Sequence, residues 1–224
     1  MCGRLALFSD PTTLARHFGL TGPFTVAPRW SIAPGRPLCI VRLAAEAGAP
    51  GASDVAWGFL PPWADPAHPG PRPINARSET AAGRPLFRAA WRQRRCLVPA
   101  DGWYEWTAGR DGKDPWFFGV PDDGPLGLAG LWSSWRGPDG RVVESAAILT
   151  RVALDQLAAI HPRMPLVIDR ADYAAWLDPT RPPPPALLDG ACAHRVRARR
   201  VSRRVNSPAH DGPELLAAAA DSPA

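Results

Sequence analysis

The chain is 224 residues long, enough to bury a core without disulfide staples, and its net charge of +5 is carried almost wholly by arginine, since Lys113 is the single lysine. The four cysteines, Cys2, Cys39, Cys96 and Cys192, are far apart and form no C-x-x-C pair, and no run approaches the roughly 20 apolar residues of a membrane span. This composition argues against a secreted disulfide framework, a zinc site or another resident metal, and a membrane protein; it suits a soluble chain in a reducing, cytoplasmic compartment.

The opening Met1-Cys2-Gly3-Arg4 carries a specific chemistry. Cysteine is small enough at position two for Met1 to be removed by an aminopeptidase, which leaves Cys2 with a thiol and a free α-amine on neighbouring carbons. Such a 1,2-aminothiol condenses with an aldehyde to a Schiff base and closes to a five-membered thiazolidine. The amine titrates near ~8 and the thiol near ~8.5 in their ordinary states, so both are expected to be partly nucleophilic at neutral pH.

Asp10-Pro11 starts a helix, as an N-cap followed by proline at the first helical position, with Leu14, Ala15 and Phe18 on one face and Gly19 ending it. Residues 30–35 read as a loop, 38–43 and 54–59 as strands, and the proline-dense stretch 61–73 as ordered loop. That loop delivers Pro73-Ile74-Asn75-Ala76-Arg77-Ser78-Glu79-Thr80, a polar cluster placed to present side chains ahead of a helix from Pro85 to about Trp91.

A short strand at 96–99 leads into Asp101-Gly102-Trp103-Tyr104-Glu105-Trp106, where aromatics alternate around Glu105 with strand period. A carboxyl among aromatics is partly desolvated, which raises its pKa and fits it for proton transfer. Strands follow at 116–120, 128–132 and 142–150, then a short helix ending at Ile160 because Pro162 follows. His161, in His161-Pro162-Arg163-Met164-Pro165, thus sits at a helix C-terminus whose dipole is expected to favour the imidazolium. Residues 169–177 read as an amphipathic helix on Tyr173, Trp176 and Leu177, 195–206 as a basic strand or loop, and 213–220 as a last helix. The domain organisation is one domain, with a core to about residue 210 and a C-terminal helix and frayed tail over 211–224.

Arginines gather at Arg84, Arg88, Arg92, Arg94 and Arg95, and again at Arg195, Arg197, Arg199, Arg200, Arg203 and Arg204. Beside ten tryptophans, such runs fit a surface that follows phosphates and stacks on bases.

The four motifs, in this order and at these distances, resemble the SRAP (SOS-response-associated peptidase) family across nearly the whole chain, with Ser31 standing where the family more often has asparagine. The resemblance implies an α+β fold built on a mainly antiparallel, barrel-like sheet with peripheral helices. It implies a monomer that needs no cofactor, senses abasic sites in single-stranded DNA, and caps them through a thiazolidine between Cys2 and the ring-opened C1′ aldehyde. Cys2, Asn75, Glu105 and His161 would be catalytic, and Arg4, Trp63, Arg77, Trp103, Arg163 and Ser202 would contact DNA. Accompanying β-elimination (lyase) activity and self-removal of Met1 are compatible with this chemistry. Two alternatives stay open: a thiol peptidase using Cys2, and a non-covalent binder of modified bases.

Overall fold

A computed structural model describes residues 2–43, 48–65, 67, 70–110, 112–121 and 124–219, without the side chains of residues 191 and 192. The chain runs through β1 (Leu5–Leu7), α1 (Pro11–Phe18), β2 (Arg29–Ile32), β3 (Pro37–Leu43) and β4 (Pro50–Trp57). Next come β5 (Asn75–Arg77), α2 (Ser78–Ala81), α3 (Pro85–Gln93), β6 (Arg95–Ala100), β7 (Gly102–Gly109) and β8 (Gly112–Gly119). The remainder holds β9 (Leu126–Arg136), β10 (Val142–Val152), α4 (Asp155–Ala158), β11 (Arg163–Pro165), β12 (Val167–Ile168), α5 (Tyr173–Leu177) and β13 (Arg197–Arg200).

Five strands close a barrel: β3 pairs with β4 and β6, β6 with β9, β9 with β10, and β10 returns to β4. Only the β10–β4 seam is parallel. On the outside of this ring β5 and β11 attach to β10, and β12 to β9. A second, five-stranded antiparallel sheet runs β13-β8-β7-β1-β2. The expected α+β architecture with a barrel-like, mainly antiparallel sheet is therefore the observed one. Among the described residues no helix is long and apolar enough to cross a membrane.

The two sheets are joined where β6 turns into β7. Asp101 donates its N–H to the Ala6 carbonyl at 2.8 Å, and its carboxylate accepts the Phe8 and Ser9 N–H groups and the Ser9 hydroxyl. The turn admits no Cβ at Gly102, where one would stand 2.2 Å from the Phe118 carbonyl oxygen. This fixes β1 against β7 and thereby the N-terminus against the second sheet.

Helix α1 forms as its sequence dictates. Asp10 accepts the Thr13 N–H at 3.0 Å, Pro11 supplies the first helical position, and Gly19 closes the helix at φ 64°. Its buried face is Leu14 and Phe18, and each fully buried side chain of this size contributes about 2 kcal/mol.

Arg95, expected as part of a basic surface, is instead buried. Its guanidinium donates to the carbonyls of Trp91, Arg92, Trp176, Asp178 and Arg181, tying α3, α5 and the segment that follows α5 to β6. A buried charge is tolerated only when its donors are spent in this way.

Two expected helices are shorter than the sequence suggested. Residues 169–177 split into a 3-10 turn, Arg170–Asp172, and the five-residue α5. The expected C-terminal helix is one 3-10 turn, Pro213–Leu216, held because Leu215 is fully buried; residues 220–224 lie outside the described residues. Asp211 accepts the Trp30 and Ser31 N–H groups and pairs with Arg29, fastening this part of the chain to β2, in the stretch 30–35 expected to be loop.

Candidate active site

Strand register brings Cys2 beside Glu105. Leu5 stands opposite Trp103 and the Tyr104 N–H donates to the Arg4 carbonyl at 2.9 Å, so continuing the antiparallel ladder sets Gly3 against Glu105. Side chains alternate along β7, so Trp103 and Glu105 share its inner face while Tyr104 and Trp106 share the outer one. Cys2 is fully buried and Glu105 only 4% exposed.

Burial sets the electrostatics of this pair. Desolvation pushes the Glu105 carboxyl from 4.5 to about 7, so that it is divided between acid and base near neutral pH. The Cys2 thiol is pushed well above its ordinary range, first by burial and then by the neighbouring Glu105 carboxylate. The expectation of a partly ionised thiol is thus corrected: a low-dielectric site beside a carboxylate disfavours the thiolate, and ionisation has to accompany transfer of its proton.

Asn75 reaches the same place from the barrel. The end of the proline-rich connector is fastened there: Phe59 N–H donates to Pro73 O (2.9 Å), and Trp57 Nε1 and Ile148 N–H both donate to Ile74 O (3.0 Å each). With the backbone so held, β5 pairs in parallel with β10, and Asn75 Nδ2 donates to the Cys2 carbonyl at 2.8 Å. Its Oδ1 is buried without a hydrogen-bond partner among the described residues.

His161 approaches along β11, which lies on β10 so that Thr150 is opposite both Arg77 and Pro165. Its Nδ1 stands 2.8 Å from the Arg163 carbonyl oxygen and 3.0 Å from the Arg163 backbone nitrogen. The helix before it, α4, is a four-residue element ending two residues short of the expected Ile160, and burial lowers the His161 pKa. The expected dipole-stabilised imidazolium is therefore replaced by a neutral imidazole near pH 7. Arg163 donates to both Glu79 oxygens at 2.6 and 2.9 Å and to the Thr150 carbonyl at 2.6 Å, fastening β11 to α2.

An open cleft of about 340 Å³ begins at Asn75 and is lined by Arg77, Thr80, Arg84, Leu86 and Thr150. A second cavity of about 610 Å³ shares Arg84 and Leu86 and extends to Pro61 and Trp63. Arg77 is exposed along this path and Trp63 is 69% exposed. Arg84, which joins the two cavities, lay in the basic run but was not singled out; only the fold shows which of those arginines faces the cleft.

The remaining expected DNA contacts are placed differently. Trp103 is fully buried, stacked on Phe118 with ring centroids 5.1 Å apart, so its ring has no face to offer a base. Arg4 is half-buried, with Nη1 donating to Ser31 Oγ at 2.8 Å and to the Val205 carbonyl at 3.1 Å. Ser202 is half-buried, and its hydroxyl accepts the Arg204 N–H at 3.3 Å.

Residues 1–208 match the family described as SOS response associated peptidase (SRAP). The chain is 31% identical to the abasic site processing protein YoqW of Bacillus subtilis over 225 residues, covering 96% of this chain and 99% of that one. It is 30% identical to YedK of Escherichia coli, an abasic site processing protein, over 228 residues, covering 96% and 99%. Among solved structures, a Bacteroides thetaiotaomicron protein superposes with a TM-score of 0.83 at 19% identity, covering 98% of this chain and 100% of that one, a likeness of fold. A phage-related protein of Bordetella bronchiseptica superposes with a TM-score of 0.70 at 30% identity, covering 90% and 95%.

Proposed function

The chain belongs to the SRAP family, and from that premise we propose that it processes abasic sites in single-stranded DNA by covalent capture at Cys2. Support comes first from one observation: buried Cys2 has Glu105 beside it and is held through its carbonyl by half-buried Asn75, which opens onto a cleft lined by Arg77 and Arg84. Relatives named abasic site processing proteins supply the substrate class.

Loss of Met1 frees the Cys2 α-amine. The amine adds to the C1′ aldehyde of the ring-opened deoxyribose to give a carbinolamine, which loses water to form the imine. The S–H then adds across the C=N bond: the sulfur–carbon bond forms, the proton reaches nitrogen, and the thiazolidine closes. The balance is one adduct formed and one water released.

Glu105, poised near pH 7, gives a proton to the departing hydroxyl and takes one from the thiol, which is why a thiol held un-ionised in the resting site remains competent. His161, neutral at this pH, is the second proton-transfer group, assisting opening of the sugar ring. Asn75 holds the Cys2 backbone through Nδ2 and offers its unpaired Oδ1 to the amine or to a hydroxyl of the opened sugar. Arg77 and Arg84 take flanking phosphates and Trp63 stacks an unpaired base. Diversion of the imine to β-elimination would appear as strand cleavage.

The test is intact mass after incubation with a single-stranded oligonucleotide carrying one abasic site. The expected product is protein lacking Met1 plus oligonucleotide minus one water, stable to heat and absent with Cys2→Ala, whose strand binding persists. A processed protein that binds the strand and gives no adduct would refute covalent capture.

A further inference from the structure

His161 takes its place from the segment that follows it. Its Nδ1 lies against the Arg163 main chain, and the Ala153 N–H donates to the Pro162 carbonyl at 3.0 Å, so the ring goes where residues 162 and 163 go. Those residues lead into β11, which is three residues long and lies on one edge of β10. The strand that begins with Asn75, β5, is equally short and lies on the other edge, since Thr150 faces Pro165 on one side and Arg77 on the other. Segments of three residues bring few ladder bonds of their own. Holding Asn75 and His161 in one arrangement therefore calls for a further tie across β10.

Glu79 supplies that tie. It stands four residues after Asn75, in the first turn of α2, whose Ser78 and Ala81 are buried and fix the turn in place. Residues paired across neighbouring strands share a face, as do residues two apart on one strand. Pairing of Thr150 with Arg77 and of Val152 with Arg163 thus raises the Arg163 side chain on the same face as Thr150 and Arg77. There its guanidinium grips both Glu79 oxygens, at 2.6 and 2.9 Å, while Nη2 also donates to the Thr150 carbonyl at 2.6 Å and to its hydroxyl at 3.3 Å.

This contact fixes direction as well as distance, because a planar fork on a carboxylate admits one orientation. The Arg163 side chain is only 16% exposed, so water screens the pair less than it does an ion pair standing in solvent. The hydrogen bonds from Arg163 hold the Glu79 carboxyl below its ordinary range, which keeps it charged at neutral pH. The ties form a closed loop that runs from β5 through α2, Glu79 and Arg163 to β11, and back through β10.

We propose that Glu79 is a positioning residue: through Arg163 it sets the segment that carries His161 against the strand that carries Asn75. The proposal rests on the capture reading, in which His161 assists opening of the sugar ring. Its consequence is selective. A loosened clasp slows the ring-opening step, and an aldehyde that has no ring to open does not need it.

The test times capture by the full chain, with Met1 removed, of two single-stranded oligonucleotides. One carries an abasic deoxyribose, and the other an acyclic aldehyde with no hydroxyl placed to close a ring. Glu79 is 44% exposed, so Glu79→Gln leaves the core intact. This variant is expected to slow the first reaction about tenfold, as a misplaced proton-transfer group does, and to leave the second at the parent rate. Adding Glu79→Gln to His161→Gln should change the first rate less than about twofold, because a tie acting through His161 then has nothing to place. Glu79→Asp, which keeps the carboxylate, should recover most of the loss. Hydrogen exchange gives a readout that needs no capture: amides of residues 161–166 should exchange about tenfold faster in Glu79→Gln than in the parent, with those of β9 unchanged.

A parent-like first rate, equal slowing with both aldehydes, or slowing that persists in the His161→Gln background would overturn the proposal. So would parent-like exchange at 161–166, whatever the capture rates. Absence of any adduct between the parent protein and either oligonucleotide would refute the capture reading and not the clasp, which the exchange measurement decides.

Discussion

Replacing Glu105 with glutamine is expected to stabilise the fold at alkaline pH while slowing capture, two effects of opposite sign from one buried carboxyl. The folded protein holds the Glu105 proton to about pH 7, against 4.5 for the ordinary group. Between those values the folded state binds more protons than the unfolded one, so this group's contribution to stability falls as pH rises through the window and is lowest above pH 7. At about 1.4 kcal/mol per tenfold change, the displacement is worth about 3 kcal/mol. Part of that gain is offset, because an amide in the same pocket must find its own partners, so the net is about 1–2 kcal/mol, or about 2–8 °C in melting temperature for a chain of this size. The assay is thermal melting of parent and Glu105→Gln at pH 4 and pH 8, with adduct formation followed on the same samples. The stabilisation should be present at pH 8 and vanish at pH 4, and capture should be slower than the parent's at both. A melting difference independent of pH, or a variant less stable than the parent at pH 8, would refute the buried, proton-holding carboxyl.

Asn75→Ala removes the hydrogen bond to the Cys2 carbonyl and should slow adduct formation about tenfold and lower stability by about 1 kcal/mol, the loss expected of one hydrogen bond; an unchanged rate would show that Asn75 does not position Cys2. Arg95→Met should lower stability by about 3 kcal/mol in urea titration, because it leaves the carbonyls of Trp91, Arg92, Trp176, Asp178 and Arg181 without a donor; a shift under 1 kcal/mol would contradict that role. Gly102→Ala would put a Cβ 2.3 Å from the Phe117 ring as well as on the Phe118 carbonyl, so it should cost about 2 kcal/mol and slow capture by shifting β7; parent-like melting and rate would contradict the close approach.

What the sequence disclosed follows from where the determining forces act. Helix α1 was legible because its cap, its proline and its closing glycine are local signals, all within residues 10–19. Strands β5 and β11 were not, because three-residue segments containing arginine or proline have no strand pattern of their own and form only where β10 offers an edge. The helix expected at 213–220 failed for the same reason: burial of Leu215 and the anchoring of Asp211 on β2 outweigh local propensity.

At the site, Cys2, Asn75 and Glu105 were identifiable as residues, but their contact is a product of the β1–β7 register and of the fastened end of the proline connector. Trp103 could have been assigned from alternation alone, since it must share the face of Glu105. If Glu105 is turned inward to be desolvated, Trp103 is inward too. The fate of Arg95 was not readable, because nothing in its neighbours distinguishes it from the exposed Arg84 and Arg88.

The most direct test of the capture chemistry uses an abasic oligonucleotide labelled with carbon-13 at C1′, joined to the protein, with the adduct mapped by proteolysis and the labelled carbon observed by NMR. The expected result is one saturated C1′ bonded to both nitrogen and sulfur, on the peptide that begins at Cys2. An imine carbon, a carbon bonded to nitrogen alone, or attachment at Lys113, the only other primary amine of the processed chain, would contradict it.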